Sequence, residues 1–336
     1  MKRRAIFSIL IVLLSGVLST SCQTTKDRVI ATTDVTVRDY KKKPDYTISH
    51  RFVVLADSRG KDLGTNHETM VQILKLIKTL NPQPEFAVIP GDLVGGTSND
   101  QEFQSSLEYF KSTITQFYPI EFYYPGVGNH ETYFNKHGEQ IFAKVFSEFD
   151  ANFDQNYGRT VYYFDKGDAR FFMLNNDHPG EMQRISGRQL QWVQDNINQN
   201  SKHHFFFIHE PSFPTCYKEG KAMDTYREER NIFWDLVEEA QNPVVFCGHE
   251  HFYSRRHITE SYSEAINENQ YVFDKSVNQV TIGGFGGPLY ATNCNKDGVD
   301  VPPITKYHFG LVDITPDRNI FYAISSEGEQ LDYFEN

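Results

Sequence analysis

Short, wholly apolar runs alternate along this chain with amphipathic stretches of helical period. Phe52-Val53-Val54-Leu55 is the first run, the pattern of a strand buried on both faces. Met70, Ile73, Leu74 and Ile77 then recur at helical spacing until Asn81-Pro82 stops the helix. Phe86-Ala87-Val88-Ile89 reads as a second strand, cut by Pro90-Gly91. Phe103, Leu107, Phe110, Ile114 and Phe117 make one stripe of a second helix. Phe122-Tyr123-Tyr124 is a strand running into Pro125-Gly126. Two more strands are expected at 161–164 and 170–174, followed by a helix through Leu190, Trp192, Val193 and Ile197. Strand, helix and strand recur at 205–208, 232–237 and 244–246.

This alternation predicts an α/β fold with crossover connections. Beyond Gly248 it gives way to strand-rich sequence through Val280-Thr281-Ile282, Gly310-Leu311-Val312 and Ile320-Phe321-Tyr322. No internal repeat or low-complexity tract intervenes, so a single domain over 51–336 is expected.

Composition narrows the class. A chain of 336 residues with 27 Phe and 19 Tyr can bury a large, aromatic-rich core of sheets. The net charge of -11 argues against an extended nucleic-acid surface, which needs basic residues. A small phosphate ester can still bind an acidic protein where a metal inverts the local potential. Residues 1–22 read as a signal peptide: Lys2, Arg3 and Arg4 precede a short apolar stretch ending in Leu18-Ser19-Thr20-Ser21-Cys22. That ending resembles a lipoprotein cleavage box with Cys22 acylated, although Ser19 replaces the usual aliphatic residue. Residues 23–50 are polar and read as a flexible tether. The expected location is a bacterial cell envelope, lipid-anchored and facing periplasm or exterior. Of the remaining cysteines, Cys247 ends an apolar run and is expected to be a buried thiol. Cys216 and Cys294 lie in loop-like sequence, where an oxidising compartment permits a disulfide that sequence alone does not fix.

The chemically loaded residues fall just after predicted strands. Asp57, Asp92, Asn129 with His130, His209, and His249 with His251 each follow one. Strand ends at one edge of an α/β sheet share a crevice, so these loops are expected to converge. Carboxylate, amide and imidazole side chains suit divalent Zn, Mn or Fe. Taken singly, each is more often a helix cap or a satisfied polar group. His249 and His251 alternate about Glu250 and face the same way in extended backbone. The ordered set outweighs its members.

Asp57-Ser58-Arg59, Gly91-Asp92, Gly128-Asn129-His130-Glu131, His209 and Gly248-His249-Glu250-His251 together resemble the signature of calcineurin-like metallophosphoesterases. The branch similar to purple acid phosphatases is favoured by Gly248 to Tyr253 and by Gly283-Gly284-Phe285-Gly286-Gly287-Pro288-Leu289-Tyr290. The resemblance implies a four-layer α/β/β/α sandwich with a two-metal centre. It also implies that Asp92 bridges both metals, that Asn129, His209 and His249 complete one site, and that Asp57 and His251 serve the other. His130 would lie near the leaving-group oxygen, protonating it or stabilising charge, with Glu131 or another neighbour orienting its imidazole. Two metals about 3.5–4 Å apart clamp phosphoryl oxygens and lower the pKa of a water.

One position departs from the pattern. Most of the family has His where this chain has Arg59, and the Tyr that purple acid phosphatases supply instead falls at Gly95. Guanidinium cannot ligate metal, so the Asp57/His251 site is one protein ligand short, and weak or empty. Water, Asn176 or Asp177 would complete it; or Arg59 would pair with Asp57 and bind substrate phosphate; or Arg59 would be a salt bridge facing away; or the centre would be inactive. His67, His137 and His178 lie in polar segments and are expected at the surface, with His178 the one able to reach substrate. Arg255 and Arg256 are expected to be solvated, and Gly283 to Gly287 to form a tight bend near the site. The expected activity is hydrolysis of phosphate monoesters. A phosphodiesterase on the same centre and a non-catalytic surface binding protein are the alternatives.

Overall fold

The computed structural model describes residues 39–336, except 198, 267, 268, 295 and the side chains of 264–270. The signal segment, Cys22 and residues 23–38 of the expected tether lie outside the described residues.

Strands and helices alternate through the first half of the fold. β1 (His50–Val54), the short β2 (Arg59–Asp62) and α1 (His67–Ile77) lead to β3 (Phe86–Ile89). α2 (Asp100–Thr115), β4 (Tyr123–Pro125), α3 (Asn129–Thr132) and α4 (Gly138–Val145) follow. Then come β5 (Asn152–Phe153), β6 (Tyr162–Lys166), β7 (Ala169–Met173), α5 (Gly187–Asn196), β8 (His203–Phe207), α6 (Arg227–Glu239) and β9 (Pro243–Cys247). The remainder is strand: β10 (Tyr253–Ile258), β11 (Ser263–Ile266), β12 (Asn269–Val272), β13 (Val277–Ile282) and β14 (Val299–Ile304). β15 (His308–Ile314), β16 (Asn319–Ser325) and β17 (Gln330–Glu335) close the chain.

Two large sheets result. One has the order β17-β16-β15-β1-β3-β4, the other β14-β10-β13-β9-β8-β7-β6-β5. β1, β3 and β4 are mutually parallel in the first, as are β7, β8, β9 and β13 in the second. Side-chain alternation assembles the layers. Phe171, Phe205 and Phe207 point from the second sheet onto Phe52 of the first, with ring centroids 5.2, 5.2 and 6.4 Å away. Their neighbours Phe172 and Phe206 point outward, against Trp192 of α5 and Phe233 of α6. Met70 of α1, Phe103 of α2 and Phe142 of α4 are fully buried in the core shared with the first sheet. Helix, sheet, sheet and helix therefore stack as the expected four-layer sandwich.

The tether boundary needs correction. Tyr40 is buried with its hydroxyl donating to Gly328 O at 2.7 Å, and Tyr46 donates to Asp313 at 2.6 Å. Packing thus begins by Tyr40 and not at 51. The partners are C-terminal strands far away in sequence, which the polar composition of 39–50 does not reveal.

Asp313 also holds Arg51, both residues buried, through a bidentate pair to Nε and Nη2. Asp313→Asn leaves that guanidinium buried without its counter-charge. The expected loss is about 3–5 kcal/mol, read as a lower urea midpoint at unchanged m-value.

Candidate metal centre

The parallel strands deliver their carboxyl ends to one edge, and the loops that follow are laced together by backbone bonds. Ser58 N donates to Asp92 O at 2.9 Å, and Gly248 N to His209 O at 2.9 Å. The lacing also crosses between sheets: His249 N donates to both Asp57 carboxylate oxygens, at 3.1 and 3.0 Å. Asp57, Asp92 and His249 adopt left-handed backbone, with φ of 63°, 50° and 68°. Such conformations cost about 1–3 kcal/mol each for non-glycine residues and persist where surroundings over-determine them. The flanking glycines are required by close approach. A Cβ on Gly248 would stand 2.3 Å from Asp57 Oδ2, and one on Gly128 2.6 Å from Asp92 Oδ1.

Each histidine of the group has one ring nitrogen on a backbone carbonyl. His209 Nδ1 meets Pro90 O at 3.0 Å, His251 Nδ1 meets Pro288 O at 2.8 Å, and His249 Nε2 meets Lys221 O at 3.3 Å. A carbonyl only accepts, so those nitrogens carry protons and the opposite ones are free to coordinate. The opposite nitrogens face oxygen. His209 Nε2 is 3.2 Å from both Asp92 Oδ1 and Asn129 Oδ1. His249 Nδ1 is 2.9 Å from Asn129 Oδ1, and His251 Nε2 is 3.1 Å from Asp57 Oδ1. Lone pairs facing lone pairs at this range call for a proton or a cation between them. One ligand atom from each of Asp57, Asp92 and His209 lies within 4.8 Å of the others, so the three line one space. The donor set fits a metal.

Electrostatics point the same way. Burial pushes the Asp92 carboxyl up, but His209, His130 and His249 outweigh it and hold Asp92 well below the carboxylate range. Burial pulls His209 down, yet Asp92, Asp57 and Asp177 raise it well above an ordinary imidazole. Those carboxylates favour positive charge at His209. His249 is held well below its usual range by burial, then by His209 and Lys218.

Arg59 corrects one expectation. Its guanidinium faces the site, but its carboxylate neighbour is Asp92, at 3.8 Å, and not Asp57. Nη2 donates to Tyr290 Oη at 2.8 Å, and the buried Nε has no hydrogen-bond partner. Both Asp57 oxygens are engaged by His249 N; at Asp92, Oδ1 accepts from His130 N at 3.0 Å and Oδ2 is the oxygen that Arg59 approaches.

Glu131 is a second correction. Its buried carboxylate accepts from Asp92 N at 2.9 Å, Val94 N at 3.2 Å and Gly128 N at 2.8 Å. It joins two loops and does not orient His130. Burial and Asp92 push its own pKa up to about 8. Gly96 N orients His130 instead, donating to Nδ1 at 3.2 Å, so the ring proton sits on Nε2, which lies 3.9 Å from Asp92 Oδ2. Phe134 packs against the ring at 5.0 Å.

Of the suggested completing ligands, Asn176 is engaged elsewhere, whereas both buried carboxylate oxygens of Asp177 have no hydrogen-bond partner among the described residues. Asn176 Oδ1 accepts from His209 N and Glu210 N at 3.3 and 3.2 Å. Asp177 is fully buried beside His209 and Glu210, its pKa raised to about 6 chiefly by burial. His178 pairs with Glu139 at 2.8 Å. Arg255 pairs with Asp332 and Asp300, and Arg256 Nη1 donates to Pro214 O, so both are structural and not solvated. The glycine bend does lie at the site: Gly287 N donates to Asp57 O at 2.6 Å, and a Cβ there would meet His251 at 2.6 Å. Cys216 and Cys294 form a disulfide, and Cys247 is a buried thiol. Sequence reasoning passed over Glu210, Tyr217, Lys218 and Tyr290 as site residues. Position next to His209, and the Tyr that ends the glycine run, were the available signals for two of them.

A two-sheet sandwich with this edge-on His/Asp/Asn group defines a metallo-dependent phosphoesterase architecture. The calcineurin-like phosphoesterase profile matches residues 50–253, and the chain belongs to that family. The chain is 26% identical over 208 residues to the serine/threonine-protein phosphatase CPPED1 of Mus musculus, covering 58% of this chain and 62% of the relative. It thus spans under two-thirds of that relative, as it does of the Rattus norvegicus protein, also 26% identical. The fold resembles that of purple acid phosphatase PPD1 from yellow lupin (Lupinus luteus) seeds, with TM-score 0.62 and 17% identity over 86% of this chain and 54% of that one. It also resembles GAP50, the anchor in the inner membrane complex of Plasmodium, with TM-score 0.56 and 13% identity over 85% and 88% of the two chains.

Ligation needs neutral His209, whereas its carboxylate neighbours favour the charged ring before metal arrives. Metal binding at pH 7 should therefore release about one proton, seen as a buffer-dependent binding enthalpy. Release of none would mean that the ring is neutral before metal arrives or lies outside the ligand set. Gly248→Ala should displace Asp57 and weaken metal binding about 10–100-fold by competition with a chelator.

Proposed function

We propose that the protein is a metal-dependent hydrolase of small phosphate monoesters. In this reading Asp57, Asp92, Asn129, His209, His249 and His251 hold the metal. The observation that carries it is the convergence of His209 Nε2, His249 Nδ1 and His251 Nε2, the ring nitrogens not bonded to backbone carbonyls, on carboxylate and amide oxygens. Bound Fe, Zn or Mn supplies Lewis acidity and lowers the pKa of a water. The chain's own groups do the rest. Arg59, steadied by Tyr290, places its guanidinium beside Asp92, where it holds a phosphoryl oxygen. His130 directs its Nε2 proton to the same space.

The charge state of His130 follows from its partners. Burial lowers its pKa, Asp92 raises it, and Arg59 lowers it again, leaving it below the ordinary value of 6.5. Gly96 N–H also fills the nitrogen that a second proton would need. The neutral ring therefore donates a hydrogen bond from Nε2 at pH 7 and stabilises charge on the departing oxygen. Export to an oxidising compartment completes the reading, supported by the Cys216–Cys294 disulfide and by the lipoprotein-like sequence at Cys22.

The test pairs metal analysis with turnover of an aryl phosphate and its diester. His130→Ala should cut monoester turnover by about 100-fold or more while retaining metal. Higher turnover of the diester would make the protein a phosphodiesterase. Metal-free protein with equal trace rates in wild type and variant would make it a binding module. With a neutral donor, the histidine-dependent part of the rate should not decline between about pH 6 and 8. A decline centred near the ordinary imidazole value, absent from His130→Ala, would instead identify a cationic acid.

A further inference from the structure

Residues 215–218 form a strap whose placement is over-determined. The fully buried carboxylate of Glu250, between the two metal-centre histidines, accepts from Thr215 N at 2.8 Å and from Tyr217 N and Lys218 N at 3.0 Å. The Cys216–Cys294 disulfide ties the strap to the segment that follows Tyr290. Tyr217 stacks on Tyr290 at 4.1 Å and 12°, and Tyr290 stacks on His251 at 4.4 Å and 5°. A ladder of rings thus runs from the metal centre to the half-exposed Tyr217.

Two cations sit on this ladder. Arg59 Nη2 donates to the Tyr290 hydroxyl at 2.8 Å, and Lys218 Nζ lies 5.6 Å from the Tyr290 ring centroid. Lys218 is partly buried, which together with the Arg59 charge works against its ammonium while Asp92, Asp57 and Glu210 favour it, and it has no ion-pair partner among the described residues. Holding an ammonium half out of water with no counter-ion is unfavourable unless a ligand provides one. Its backbone is fixed by Glu250, so only the flexible stem adjusts.

We propose that Lys218 and Arg59 form a two-cation clamp on the non-bridging oxygens of a phosphate monoester, with Tyr290 setting their separation. This deepens the phosphoesterase reading and rests on it. A monoester carries close to two negative charges at neutral pH, because its second pKa is about 6, whereas a diester carries one. A second fixed cation in a partly desolvated site therefore favours the monoester. Selection between ester types, which the shared metal motifs leave open, falls to the strap.

The experiment uses the metal-loaded full chain and inorganic phosphate as probe. Lys218→Met should weaken phosphate binding by about tenfold or more, measured by calorimetry, and lower the monoester-to-diester ratio of kcat/KM by a similar factor. Lys218→Arg should recover most of both, with metal content unchanged throughout. Should Lys218→Met lose metal, Lys218→Gln carries the same comparison. Unchanged phosphate affinity, or equal losses for monoester and diester, overturns the clamp. Wild-type protein that takes up neither metal nor phosphate overturns the hydrolase reading itself.

Discussion

The molecule turns on a contact between its two sheets: the Asp57 carboxylate, leaving the first sheet, receives the backbone N–H of His249, leaving the second. A carboxylate with both oxygens on one N–H fixes the separation and rotation of the two sheet edges at that point. Around it, His209 Nδ1 reaches across to Pro90 O, and Gly287 N to Asp57 O. Since left-handed backbone at Asp57, Asp92 and His249 is unfavourable in isolation, these cross-sheet bonds hold it. The glycines beside them admit no Cβ. The geometry of the metal centre is thus a property of how the sheets meet, and the aromatic inner layer of Phe52, Phe171, Phe205 and Phe207 sets that meeting.

Much of this was legible in the chain. Strands such as Phe86–Ile89 and His203–Phe207 are covered on both faces, so their apolar runs stand out against amphipathic helices. Parallel order places their ends together, and the Asp, Asn and His that follow inherit that placement. What escaped depended on distant partners. Tyr40 and Tyr46 are anchored by Gly328 and Asp313, so no local pattern marked 39–50 as packed. The short strand β2 after Asp57 was likewise invisible, because RGKD carries no apolar signal.

Within the site, residue types were readable and directions were not. Glu131 follows His130 in sequence, which suggested that it orients the imidazole. At the start of the short helix α3 its side chain turns back instead to the N–H groups of Gly128, Asp92 and Val94. A backbone N–H, from Gly96, orients the ring, and backbone donors leave no trace in residue identity. Glu250 departs from expectation too: the segment bends at His249 (φ 68°) instead of running extended, and the Glu250 side chain turns into the strap.

Arg59 is where these arguments meet. Replacing a neutral ligand by a guanidinium does two things to the proposed centre. It removes a donor from the half built by Asp57 and His251, and it places a permanent positive charge 3.8 Å from the carboxylate that both halves share. Asp92 is left with less charge to offer a second ion. The half with Asn129, His209 and His249 keeps its donors, so on the proposed reading the ion there binds more tightly. The same guanidinium is held by Tyr290, which also carries Lys218 at its ring. Positive charge that the weaker metal half gives up is thus returned by side chains. Fixed cations ask nothing of a metal supply and attract phosphate without polarising a water. On that physics, binding of the phosphate group and activation of the nucleophile become separable tasks, the first resting on Arg59 and Lys218 and the second on the ligands gathered around Asp92.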